Sequence, residues 1–134
     1  MSARLLMTAG ILVFGLLIPI LEVNETHLFN PDWPPHARFH DAWQLLTNAG
    51  LAALCLWLVW ARGQIALAAL IGGWIMASVA LAHALGDVYE GYATYEGGTE
   101  LTLLGLPAAV AIPLAAVAMF AAAVVIGRRG MQTE

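Results

Sequence analysis

Ionisable side chains repeat at helical spacing in two separate parts of the chain, and together they have the chemistry of a metal site. His36 and His40 are four residues apart, as are His83 and Asp87, and Glu90 follows three residues later. Residues four apart share one face of a helix, and paired histidines on one face are common zinc ligands. We therefore expect His36, His40, His83 and Asp87 to be able to hold a divalent metal such as zinc. Asp87 or Glu90 would then activate a metal-bound water.

The same groups can also act without a metal. Histidine titrates near neutral pH, so it can accept and donate a proton while a neighbouring carboxylate orients it. His27 lies in the first connector, close to both sets of residues. A purely structural network of histidines and carboxylates is a third interpretation. The candidate acid–base residues are His40, Asp41, His83, Asp87, Glu90, Glu22 and Glu25.

A polar stripe descends from these residues into an apolar segment. Asp41, Gln44, Thr47 and Asn48 cover about two turns of one helix face. Polar groups inside a membrane helix usually face the bundle interior or a wet cavity. With Ser78 and His83 opposite, the stripe predicts a pocket for a lipophilic molecule with a polar head, although hydrogen bonding between helices would also explain it.

Four long apolar stretches must position these side chains, at residues 5–21, 42–61, 65–85 and 101–126. The chain is 61% hydrophobic and 10% charged, whereas soluble domains are about 25% charged. A bilayer core of roughly 30 Å takes about 20 helical residues, and only helices satisfy the backbone of such segments in lipid. The pattern predicts an all-α fold, with residues 1–134 forming a single integral membrane four-helix bundle. The expected helices cover about 4–22, 34–61, 64–87 and 100–127, and Pro107 and Pro113 are expected to bend the last of them.

The arginines predict how this bundle is oriented. The chain has no lysine, and Arg4, Arg62, Arg128 and Arg129 lie near the N-terminus, between helices 2 and 3, and near the C-terminus. Positive residues favour the cytoplasmic side of a membrane. Both termini are therefore expected in the cytoplasm of a cell whose plasma or inner membrane holds the protein. The connectors between helices 1 and 2 and between helices 3 and 4 would face outward.

These outer connectors contain every histidine and most of the acidic residues. Against Arg38 alone, their eight carboxylates leave a net charge of −7 with the histidines neutral. Crowded carboxylates need a cation, a histidinium or a metal to neutralise them. Tyr92 and Tyr95 share the second connector with such acids. The eight carboxylates are Glu22, Glu25, Asp32, Asp41, Asp87, Glu90, Glu96 and Glu100.

The residues resemble known families in two ways. Ser78, His83 and Asp87 with His36 and His40 resemble the zinc sites of the alkaline ceramidase and adiponectin-receptor superfamily, although the helix number and motif order differ. The four helices with an acidic, histidine-containing pocket are similar to the emopamil-binding sterol isomerases and the sigma-2 receptor. That resemblance implies proton transfer or amine binding by Glu22, Glu25, His40, Asp41, His83 and Asp87. The sequence Pro-Pro-His-Ala-Arg-Phe-His at residues 34–40 looks like a signature of small uncharacterised membrane proteins.

Three kinds of function fit these patterns. The first is an enzyme that hydrolyses or isomerises a lipophilic substrate at the outer face by histidine and carboxylate chemistry, with or without a metal. The second is a binding or transport module for a cationic or amine-bearing lipophile, and transport by four helices would require a homo-oligomer. The third is an accessory subunit of a larger membrane complex. A nucleic-acid partner is excluded because the chain is acidic and its arginines lie at the membrane surface. Its expected partners are the lipid bilayer and a lipophilic small molecule.

Overall fold

A computed structural model describes residues 2–91, 93, 99 and 101–130 of the chain. Tyr92, Tyr95, Glu96 and Glu100, which the sequence placed near the site, lie outside the described residues. The described part is mostly helical and includes one short antiparallel β-hairpin. Its elements are α1 (Ala3–Leu12), a π-helical turn (Val13–Leu17), α2 (Ile18–Glu22), α3 (Pro35–Trp60), α4 (Ile65–Ala84), α5 (Gly86–Tyr89), β1 (Thr102–Leu103), β2 (Leu106–Pro107) and α6 (Ala108–Gly130).

Within the described residues, four helices are long and apolar enough to cross a membrane. The first combines α1, the π-helical turn and α2, and its mean hydropathy is 2.2. This finding confirms the expectation of four apolar helices of membrane-spanning length. We call these helices spans 1 to 4, and they are Ala3–Glu22, Pro35–Trp60, Ile65–Ala84 and Ala108–Gly130.

The apolar core occupies one half of the bundle only. Its buried side chains come mainly from the first part and middle of spans 1 and 3 and from the middle and last part of spans 2 and 4, as expected for antiparallel neighbours. Phe14 and Phe120 are the largest of these side chains, and both are almost completely buried. The core residues fall within positions 6–14, 52–59, 68–76 and 116–123. The other half of the bundle, near the two acidic connectors, lacks such a core among the described residues.

Phe120 fills a slot between two glycines on neighbouring spans. A Cβ added to Gly10 would lie 2.5 Å from Phe120 Cε1, and one added to Gly72 would lie 2.7 Å from Phe120 Cζ. A Cβ on Gly72 would also lie 3.2 Å from Phe14 Cε1. Small residues let helices approach closely in lipid, where packing rather than exclusion of water drives association. The Phe120 ring therefore lies against glycines of two different spans.

Because of this slot, the same substitution at two adjacent glycines should have different effects on stability. We expect Gly72→Ala to lower the free energy of unfolding by about 1–3 kcal/mol, because the added methyl overpacks the core against Phe120. The matched control is Gly73→Ala, since a Cβ at Gly73 meets nothing within 4 Å. Titration of both variants with a denaturing detergent in mixed micelles measures the difference. Equal stability of the two variants would contradict this packing.

The end of the bundle next to this core is lined by arginine and tryptophan. Trp60 Nε1 donates a hydrogen bond of 3.0 Å to Thr8 Oγ1, and the guanidinium of Arg4 lies 5.8 Å from the centre of the Trp60 ring. A Cβ on Gly127 would lie 3.4 Å from Ile65 Cδ1 and 3.8 Å from Ala3 Cβ. The start of span 1, the end of span 2, the start of span 3 and the end of span 4 therefore meet at this end.

The fourth span begins later than the sequence suggested. The expected helix start near residue 100 and the expected bend at Pro107 are wrong, because residues 102–107 form a hairpin and α6 begins at Ala108. Leu104 and Gly105 both have positive φ, which turns the chain back instead of continuing a helix. Pro107 therefore precedes the helix, where its missing N–H costs little. Pro113 does lie inside the helix.

Candidate functional site

A cavity of about 720 Å³ occupies the half of the bundle that the core leaves unfilled. All four spans contribute to its lining, as do both acidic connectors, and the walls are mainly apolar. A volume of this size is typical of small-molecule sites. Among the apolar lining residues are Leu17, Leu21, Ile75, Val79, Ile112 and Pro113.

A few polar side chains interrupt the apolar lining. Glu22 from the end of span 1, His27 from the first connector, and Gln44 and Asn48 from span 2 all line the cavity, and Trp33 lies beside them. The predicted polar stripe therefore contributes Gln44 and Asn48 directly, one turn apart. Such a lining suits a molecule with a large apolar body and a polar head.

Glu22 and His27 form an ion pair at this polar end. His27 Nε2 lies 3.5 Å from Glu22 Oε2, and about a third of each side chain is accessible. Asp41, on the second turn of α3, is close enough for its charge to repel that of Glu22 and attract that of His27. Two carboxylates and one histidine therefore interact electrostatically at this end of the cavity.

The first connector fixes the His27 ring through a set of short hydrogen bonds. Asn24 Oδ1 accepts from the Thr26 backbone N–H at 2.7 Å and lies 2.6 Å from Thr26 Oγ1. Thr26 Oγ1 in turn lies 2.9 Å from His27 Nδ1. Asn30, only 7% exposed, donates to the Thr26 carbonyl at 3.3 Å and accepts from the Asp32 backbone N–H at 2.9 Å. The turn therefore holds the imidazole on the cavity wall.

These contacts assign the protons on His27. The Oδ1 atom of Asn24 can only accept, so the Thr26 hydroxyl donates its single proton to it. Thr26 Oγ1 is then the acceptor for His27 Nδ1, which must carry a hydrogen. The remaining ring nitrogen, Nε2, faces Glu22. The arrangement holds Nε2 beside a carboxylate on the cavity wall.

The π-helical turn brings Glu22 onto the inner face of span 1. The Ile18 backbone N–H bonds to the Val13 carbonyl, five residues back, so this turn holds one more residue than an α-helical turn. Glu22 follows the buried Phe14 by eight residues, which in a regular α-helix would place it about 80° away around the axis. Absorbing one residue in the wide turn reduces that offset to about 20°. Glu22 consequently faces the cavity, although it lies at a helix C-terminus, where a negative charge is unfavourable.

Asp41 carries an unusual carboxylate oxygen. Its Oδ2 is buried and makes no hydrogen bond to any described residue. A buried oxygen without a partner is costly, and native proteins keep few such atoms. Asp41 is not among the described residues that line the cavity.

His36 and His40 do meet, but on the exposed start of α3. Their Nε2 atoms lie 3.0 Å apart across one helical turn, and both residues are exposed. His40 also contacts the rings of Phe39 and Trp43, at centroid distances of 5.7 and 5.9 Å. Neither histidine lines the cavity.

The remaining predicted residues lie away from the cavity lining. His83 is partly buried in the last turn of α4, while Asp87 and Glu90 are exposed in and just after α5. Glu25 is exposed in the first connector. Across residues 2–91, 93, 99 and 101–130, no group of three or more histidine, cysteine, aspartate or glutamate side chains is arranged to hold a metal. Binding of a metal by His36, His40, His83 and Asp87 stays a prediction.

The rest of the predicted stripe also lies elsewhere. Thr47 is exposed, and Ser78 Oγ donates to the Trp74 carbonyl of its own helix at 2.8 Å. Neither lines the cavity, which takes Ile75 and Val79 from span 3 instead. His27, by contrast, was predicted from the sequence only as a neighbour of the site, and it lies at the centre of the polar group. Its position five residues after Glu22, in a turn rich in Asn and Thr, was the available signal.

The sequence of this chain matches the model of a protein family. Residues 6–131 match the model of a family of unknown function, DUF6640. The chain belongs to DUF6640. Since the match covers span 1 from residue 6, the other three spans and both connectors, the cavity of this DUF6640 member lies within the matched region. No curated protein and no solved structure matches the chain. The expected membership of an uncharacterised family is confirmed, while the likeness to emopamil-binding proteins and the signature at residues 34–40 gain no support.

Proposed function

We propose that this protein is a membrane-embedded enzyme that binds a lipophilic molecule in its cavity and moves a proton at that molecule's polar head. One observation carries the proposal: on the wall of an apolar cavity, His27 holds Nε2 toward Glu22 while its Nδ1 is fixed by Thr26. Histidine can accept and donate a proton near neutral pH, and a neighbouring carboxylate stabilises its charged form. The apolar walls favour a lipid-like substrate.

The reaction needs only these side chains. His27 Nε2 takes a proton from a carbon of the substrate, and Glu22 stabilises the imidazolium that forms. When the proton returns to a different carbon, a double bond moves and the substrate is isomerised without loss of any atom. In the hydrolytic version, Nε2 takes the proton from water as the hydroxide adds to a carbonyl, and then gives it to the leaving group.

The proposal also includes the orientation of the protein in the membrane. Arg4 and Arg62 interact with Trp60 and Trp57 at the end of the bundle opposite the cavity. Positive residues favour the cytoplasm, and tryptophans favour the membrane–water interface. With that end in the cytoplasm, both termini are cytoplasmic and the cavity opens at the outer face of a plasma or inner membrane.

Isotope uptake tests this function whichever lipid is the substrate. Purified protein is incubated with a membrane lipid extract in D₂O or in H₂¹⁸O, and the lipids are analysed by mass spectrometry. Isomerisation would place deuterium on carbon, whereas hydrolysis would place ¹⁸O in an acid product. We expect incorporation with the wild type and with Asp32→Asn, an exposed acid of the same connector, and none with His27→Ala. Equal incorporation with and without the imidazole would refute the proposal.

A second function is favoured by the charge at the site. Two carboxylates near one histidine leave room for a positive charge, and Asp41 Oδ2 has no hydrogen-bond donor among the described residues. The protein would then hold a cationic lipophile without changing it. In that case, the wild type would bind a lipophilic amine and the Asp41→Asn variant would not. The bound amine would show no isotope uptake. Proton transfer remains the better-supported function because simple charge attraction does not require a histidine with a fixed tautomer.

A further inference from the structure

The β-hairpin before span 4 carries four exposed leucines in six residues. The side chains of all four are exposed, and Leu104 is fully exposed; they are Leu101, Leu103, Leu104 and Leu106. The hairpin is ordered by the β1–β2 pairing, with Leu103 opposite Leu106. The Ala108 N–H also bonds to the Leu101 carbonyl at 2.7 Å. We call residues 101–107 the leucine hairpin.

The backbone conformation at the tip of the leucine hairpin is unfavourable for a leucine. Leu104 and Gly105 have φ of 53° and 81°, the signs required by a type I′ turn. Such turns favour Asn-Gly, because a bulky side chain is strained at positive φ. The Leu104 side chain gains no packing within the protein in return, since it is fully exposed. A residue that breaks a local rule without a structural benefit points to a role outside the fold.

The position of the leucine hairpin indicates what covers it. It directly precedes a helix long and apolar enough to cross a membrane, so it lies where span 4 meets the membrane surface. Leu101 also lines the cavity. An apolar segment at this level can enter the boundary between headgroups and acyl chains.

We propose that the leucine hairpin inserts its tip into the outer leaflet of the bilayer, with Leu104 among the lipid chains. The insertion holds the cavity mouth, where Leu101 lies, against lipid instead of water. Molecules would then reach the cavity sideways from the bilayer. This inference depends on the membrane placement of the four spans and not on the acid–base chemistry.

Site-directed labelling tests the insertion. In a Cys55→Ala background, Leu104→Cys and Asp32→Cys each place one thiol in an outer connector, and the proteins are reconstituted in phosphatidylcholine vesicles. We expect a charged maleimide to react at Leu104→Cys at least about tenfold more slowly than at Asp32→Cys, because lipid shields an apolar tip. The comparison is unaffected by mixed orientation, since both positions lie at the same end.

A second readout separates burial in lipid from burial in protein. With a fluorescent label on each thiol, spin-labelled phospholipids should quench the label at position 104 and leave the one at position 32 bright. Leu106→Cys gives the same measurement on β2 if the tip variant does not fold. Equal maleimide rates and unquenched labels would overturn the proposal. That result would also be expected for a hairpin that docks on another protein, because the vesicles hold this chain alone.

Discussion

Replacement of Glu22 by glutamine is expected to lower isotope incorporation into the proposed lipid substrate about a hundredfold, the usual effect of removing a group that stabilises charge formed in the reaction. The amide keeps nearly the same shape but carries no charge. It therefore cannot stabilise the imidazolium that forms when His27 Nε2 takes a proton. Initial rates from mass spectrometry, compared at matched protein concentration, measure the loss.

The charge on Glu22, and not acidity in general, should control the rate. Asp32→Asn removes one negative charge from the same connector without touching the cavity lining, so this variant should retain the wild-type rate. Circular dichroism would check that both proteins stay helical. If Glu22→Gln retained the full rate while His27→Ala lost it, the histidine would act alone and the pairing would be irrelevant.

Replacement of Phe120 by alanine is expected to lower the free energy of unfolding by at least about 2 kcal/mol. Phe120 is 2% exposed, and its ring lies against Gly10 and Gly72. In lipid the lost term is mainly van der Waals packing, so the effect lies toward the lower end of values known for soluble proteins. Denaturing-detergent titration in mixed micelles measures it.

A double-mutant cycle ties this loss to the glycine slot. In the Phe120→Ala background, Gly72→Ala should cost almost nothing, because its methyl group then enters vacated space. The coupling between the two sites should therefore exceed about 1 kcal/mol, as expected for residues in contact. An identical cost of Gly72→Ala in both backgrounds would show that the close approach to Phe120 does not limit stability.

Composition and apolar run length were sufficient to predict the helical part of the fold. Spans 1 to 3 begin and end within a few residues of the expected positions, because bilayer thickness and the absence of charge constrain such segments strongly. The start of span 4 was missed because a run of leucines reads as helix, whereas the positive φ of Leu104 and Gly105 reverses the chain. Hydropathy alone does not distinguish a helix from a hairpin at these residues.

The site was harder to predict because it depends on a turn and on helix rotation. The spacing of His36 and His40 correctly placed their rings together, but helical spacing cannot say whether that face points inward. His27 reaches the cavity through the Asn24–Thr26 turn, a geometry that has no helical period. Glu22 was a candidate from the sequence, yet its alignment with the cavity depends on one extra residue in the π-helical turn.

The sealed core below the cavity has a consequence for the membrane as a whole. Phe14 and Phe120 close the half of the bundle beneath it, and Asn30, in the first connector, is the single buried polar residue among the described residues. The described residues therefore offer a molecule in the cavity no buried polar path through that half of the bundle. If the proposed proton transfer takes place in this cavity, we expect its product in one monolayer only, which would create a difference in composition between the two leaflets.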